Sequence, residues 1–115
     1  MLKSMNDILN TTFETSSSDT EQFIQALLNL KKDLNKLFTK AGVRKAMYHK
    51  GHFEVSIFIE NKNYKVFYLH FSDFRFFKGQ GYIRTCEHFK DYTGGPNWSL
   101  NMDENFEEKL LKFIA

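Results

Sequence analysis

His52-Phe53-Glu54-Val55-Ser56-Ile57-Phe58-Ile59-Glu60 and Tyr64-Lys65-Val66-Phe67-Tyr68-Leu69-His70-Phe71, separated by Asn61-Lys62-Asn63, alternate with the two-residue period of half-buried strands. A three-residue connection with Asn63 in the left-handed region puts Phe53, Val55, Ile57 and Ile59 on one face with Phe67, Leu69 and Phe71. A two-residue turn would mix apolar and polar groups on both faces. The shared apolar face is the expected core. Residues 43–49 read as the preceding strand, joined through Lys50-Gly51 as a two-residue turn whose glycine takes the positive backbone angle.

Outward from this hairpin the chain reads as α+β: a long N-terminal helix, an antiparallel meander of four to five strands, and a C-terminal helix, with the helices on one face of the sheet. Ser18-x-x-Glu21 has the capping-box pattern, so the main helix is expected to begin near Asp19 or Thr20. Phe23, Ile24, Leu27, Leu28, Leu34, Leu37 and Phe38 would line its inner face, and Gly42 would end it. Residues 82–87 form a further strand, with either Ile83 and Thr85 or Tyr82, Arg84 and Cys86 turned inward. Residues 98–100 would add a short edge strand. Asp103 would cap a last helix carrying Phe106, Leu110, Phe113 and Ile114. Residues 1–18, where Met5, Ile8, Leu9 and Phe13 precede a run of serines and threonines, are expected to be a loosely attached segment, leaving residues 19–115 as a single domain.

Composition sets the class. With 42% apolar and 17% aromatic residues, the 115-residue chain is far from the signature of disorder and long enough to bury one core. A single cysteine, Cys86, excludes an intramolecular disulfide and is expected to be a small core residue in a reducing compartment. No apolar run reaches the length of a membrane span, and Met1-Leu2-Lys3-Ser4-Met5 does not open a secretory signal, so a cytoplasmic protein with no membrane partner is expected. The net charge of +2 is unevenly spread: Lys31, Lys32, Lys36, Lys40, Arg44, Lys45 and Lys50 face Asp33 alone over residues 31–50.

The register that buries Phe67 and Leu69 turns the complementary residues outward, and three candidate sites follow. Phe58, Tyr64, Val66 and Tyr68 would form an exposed partner or self-association face, consistent with a homodimer. Arg44, Lys45, Lys50, Arg84 and Lys90, with Gly94 and Gly95 of Asp91-Tyr92-Thr93-Gly94-Gly95-Pro96-Asn97, would supply cations and free amides for nucleic acid or another anion. His49 opposite His52 and Glu54 opposite His70 would gather imidazole and carboxylate groups suited to a divalent metal or to acid–base chemistry. Glu60-x-Lys62 has the spacing of a nuclease element but falls at a turn. No complete catalytic, metal or nucleotide motif is present, and no cofactor is expected. The leading expectation is a small non-enzymatic binding protein using an open sheet face and the Gly-Gly loop. Nucleic-acid binding comes next, and a metal-dependent enzyme on the His/Glu face third.

Overall fold

The computed structural model describes residues 1–14 and 16–115; Thr15, in the N-terminal segment, lies outside the described residues. In chain order it contains α1 (Lys3–Leu9), α2 (Glu21–Lys40), β1 (Lys45–Lys50), β2 (Val55–Glu60), β3 (Val66–Phe71), β4 (Gly81–Cys86), β5 (Trp98–Ser99) and α3 (Phe106–Phe113). The strands form one antiparallel meander in the order β1-β2-β3-β4-β5, so the fold is α+β as expected.

The apolar stripe of α2 buries Phe23, Leu30, Leu34, Leu37 and Phe38 against the sheet, with Leu27 half-buried. Ile24 and Leu28, expected on that inner face, lie at its border and stay 40% and 47% exposed. The helix begins after Thr20 without a side-chain cap. Ser18 turns away from the capping box, its hydroxyl accepting from Lys50 Nζ at 3.2 Å. Gly42, at φ +72°, ends the helix, while the Val43 amide reaches back to the Phe38 carbonyl at 2.9 Å. That pairing satisfies a carbonyl the helix end would otherwise leave open.

Val55, Ile57, Ile59, Phe67, Leu69, Phe71 and Ile83 form the sheet side of the main core, beneath α2 and the α3 residues Phe106 and Leu110. This resolves the alternative left open for β4: Ile83 faces the helices, while Tyr82, Arg84 and Cys86 share the other face with Val66, Tyr68 and His70. The N-terminal segment is docked rather than loose. Met5, Ile8 and Phe13 belong to the same core at 0%, 1% and 5% exposure, and the Ser4 amide donates to Asp33 of α2 at 3.0 Å.

Both hairpin connections are longer than the sequence suggests. β1 and β2 are joined by residues 51–54, closed by the Gly51 amide on the Glu54 carbonyl, and the left-handed residue is Phe53 at φ +57°, not Gly51. Placing a phenylalanine there costs about 1–2 kcal/mol. Its ring is fully buried, 4.9 Å from Phe23, and burial on that scale contributes about 1.5–3 kcal/mol, so packing decides the turn. Between β2 and β3 the loop is residues 61–65, with Tyr64 rather than Asn63 at positive φ, +65°. The buried Asn61 explains the difference. Its Oδ1 accepts from the Asn63 and Lys65 amides at 2.9 and 3.0 Å, and its Nδ2 donates to the Ile114 carbonyl at 2.9 Å.

Candidate functional site

The sheet face away from the helices is not open. Residues 87–97 fold back across it, laying the Phe89 ring 6.0 Å from Phe58 and the Tyr92 ring 5.3 Å from Phe58. Phe58, Val66 and Tyr68 become a second core at 0%, 8% and 6% exposure. The expected self-association face is thereby corrected: of its four residues only Tyr64 remains exposed, at 67%. Apolar side chains on both sheet faces demand cover on both, and Phe89 and Tyr92 supply it on this side. Their spacing within a polar stretch was the available signal, read in the sequence only as part of a loop.

Local polar contacts hold the covering loop. The Asp91 carboxylate accepts from the Thr93 hydroxyl at 2.7 Å and from the Glu87 and Thr93 amides at 3.0 and 3.1 Å. The Thr93 hydroxyl first, and then those amides, keep it below the usual carboxylate range. Arg84 is the central pin. Its guanidinium lies 4.3 Å over the Tyr68 ring and donates to the Tyr92 carbonyl at 3.2 Å and Asn97 Oδ1 at 3.4 Å. It is 8% exposed, has no ion-pair partner among the described residues, and its Nε is unpartnered. Gly94 packs so close that a Cβ there would fall 2.6 Å from that Nε, so any side chain at this position would have to displace the guanidinium.

Deeper on the same face, Ser56 Oγ lies 2.9 Å from Tyr68 Oη and 3.0 Å from His70 Nδ1, while His70 Nε2 stands 3.9 Å from Glu54 Oε1. Burial lowers the His70 pKa, opposed by the nearby Glu54 carboxylate. The strand pairings expected for the metal candidates differ in the structure. His49 pairs with Ser56 rather than His52, and Ser56 rather than Glu54 pairs with His70. His52 turns toward Ser18, its Nδ1 3.4 Å from the hydroxyl. Among the described residues no three His, Cys, Asp or Glu side chains converge on a common ion. Burial raises the Cys86 pKa, disfavouring the thiolate.

The basic candidates also separate. Lys45 and Lys50 stand five residues apart on β1, about 17 Å along the strand, and point to opposite faces. Lys50 is paired with Asp19 at 3.1 Å. Arg44 and Lys45 lie at the other end of the strand, where Lys45 Nζ sits 4.8 Å over Phe89 and Arg44 sits 4.0 Å over the Tyr64 ring while pairing with Glu60 at 3.4 Å. Lys90, exposed and at φ +67°, belongs to the covering loop.

One end of the sheet thus gathers Arg44, Tyr64, Arg84, Gly94 and Gly95 around a cleft of about 770 Å³. Its walls are Tyr64, Lys65, Val66, Thr85, Cys86, Glu87, Asp91, Thr93, Gly94 and Gly95. A cleft of this size falls in the range of small-ligand sites, roughly 300–1,000 Å³. Lys65, Thr85 and Thr93 are wall residues that sequence reasoning did not single out, because only the true loop length brings residues 61–65 against residues 91–95. No helix among the described residues is long and apolar enough to cross a membrane. No protein-family model matches the chain, and no match was found among curated proteins or solved structures.

Proposed function

We propose that the protein is a small non-enzymatic binding protein whose ligand site is the cleft between residues 61–65 and the Gly-Gly loop. The observation that carries this reading is Tyr64. A tyrosine held at φ +65°, left 67% exposed on the wall of this cleft and backed by Arg44, belongs to neither core. Residues kept in such sparsely populated conformations cluster at functional sites. The Ser56–His70–Glu54 array does not support an enzyme reading as well, because Ser56 shares its hydroxyl with Tyr68 and is absent from the cleft walls.

The reading is tested by titrating ¹⁵N-labelled protein with a library of small polar aromatic fragments and mapping the amide shifts. Shifts concentrated on Tyr64, Thr85 and Thr93 through Gly95 are expected. Shifts concentrated instead on the exposed Phe76 and Phe77 would move the site to that turn and overturn the proposal.

A further inference from the structure

We infer that the ligand of this cleft is a planar heteroaromatic ring carrying a single anionic group, the chemistry of a nucleoside monophosphate. The inference rests on the assignment of the cleft as the binding site and adds the class of ligand.

Tyr64 supplies the ring-recognising wall. Arg44 lies 4.0 Å from its ring centroid but is not a wall of the cleft, so the guanidinium backs the ring while Tyr64 itself borders the cavity. A phenol ring fixed in this way offers a stacking surface for any heteroaromatic base, an interaction worth about 1–3 kcal/mol per base. The turn does not need tyrosine at this position, since glycine would adopt φ +65° without strain.

The opposite wall supplies anion recognition. Among the described residues no hydrogen bond engages the amides of Gly94 or Gly95, and the space beside Gly95 is open. Behind Gly94 lies the Arg84 guanidinium, 8% exposed, without an ion-pair partner and with its Nε unsatisfied. Free backbone amides in front of an uncompensated cation form an anion-binding concavity. Charge count then limits the anion. Arg44 is already paired with Glu60, which leaves Lys65 on the wall and Arg84 behind Gly94 against the carboxylates of Glu87 and Asp91, so the charges around the cleft balance. Without a cationic excess the site disfavours a triphosphate, and the free amides with the unpaired Arg84 behind them suit a single anionic group.

The test uses the full chain, with calorimetry and ¹⁵N shift mapping against AMP, GMP, CMP and UMP, each alongside its own nucleoside and triphosphate, and against a single-stranded pentanucleotide. At least one monophosphate is expected to bind with shifts at Tyr64, Gly94 and Gly95, at least tenfold more tightly than its nucleoside and no more weakly than its triphosphate. Tyr64→Gly, which keeps the turn, should weaken binding at least tenfold, and Tyr64→Phe should retain it. Unchanged affinity in Tyr64→Gly overturns the stacking role. If fragments shift the cleft amides but no monophosphate does, the ligand class is wrong and the site stands. If neither does, both readings fall. Much tighter binding of the pentanucleotide would assign the cleft to single-stranded nucleic acid and overturn the free nucleotide.

Discussion

At position 64 the strain is separable from the side chain, because alanine and glycine both remove the ring and its contact with Arg44 while only glycine relaxes φ +65°. Tyr64→Gly is therefore expected to exceed Tyr64→Ala in stability by about 1 kcal/mol, read from urea midpoints. Equal midpoints would show that the turn carries no strain. Ile57 and Phe58, neighbours on opposite faces of β2, make a second comparison. An open outer face would make Phe58 replaceable, yet both side chains are fully buried. Ile57→Ala should cost about 2–5 kcal/mol and Phe58→Ala about 3–5 kcal/mol. A Phe58→Ala loss well below 1 kcal/mol would mean that the loop does not cover the face in solution. His70 adds a pH dependence. Burial lowers its pKa from the ordinary 6.5, with Glu54 opposing and Arg84 reinforcing the shift, so the unfolded chain takes up this proton first as pH falls. The stability contributed by neutral His70 is whole above about 6.5 and is lost as pH drops from there through the folded-state value. Urea midpoints at pH 7.5, 6.5 and 5.5 should fall less steeply in His70→Asn than in the parent.

Faces were legible in the strands where register was not, and pleating explains why. Expecting Glu54 opposite His70 where Ser56 stands, and His49 opposite His52 where Ser56 stands, displaces each pairing by an even number of residues. Even displacements leave every side chain on its face. A buried face therefore specifies parity, while turn chemistry selects among the allowed registers. The turns were governed by the packing of Phe53 and the long-range bond from Asn61 to Ile114, neither of which a local pattern records. The cleft was legible only as scattered residues, because its walls meet through those same turns. The covering loop was legible as a glycine reversal but not as a cover. That role gives an expectation at the scale of the element. Asp91→Ala leaves the Glu87 and Thr93 amides without their acceptor, so amide hydrogen exchange over residues 87–97 should accelerate, and the dye that reports exposed apolar surface should bind as Phe58 is uncovered. Exchange confined to its parent rate would show that Arg84 alone holds the loop.

Across the whole molecule, the N-terminal segment decides how much chain the fold requires. In the sequence its threonines and serines look like a break between Phe13 and the main helix, and helical spacing alone does not say whether a short element docks. In the structure α1 ends at Leu9, yet the chain runs on to place Phe13 between rings of the main core, 6.0 Å from both Phe23 and Phe74. Met5, Ile8 and Phe13 are each at least nine-tenths buried. At about 1.5–3 kcal/mol for each large apolar side chain, removing all three forfeits roughly 5–9 kcal/mol, before counting the newly bared faces of Phe23, Phe53 and Phe74. A domain of this size is stable by only about 5–15 kcal/mol, so the loss is comparable with the whole. A fragment comprising residues 16–115 is therefore expected to be unfolded or marginal, without the cooperative thermal transition of the full chain. The triple replacement Met5→Ser, Ile8→Ser and Phe13→Ser in the full-length protein should behave alike, separating lost burial from lost chain. Calorimetry decides it: a fragment that melts cooperatively within a few degrees of the full chain would show that residues 1–14 are an appendage.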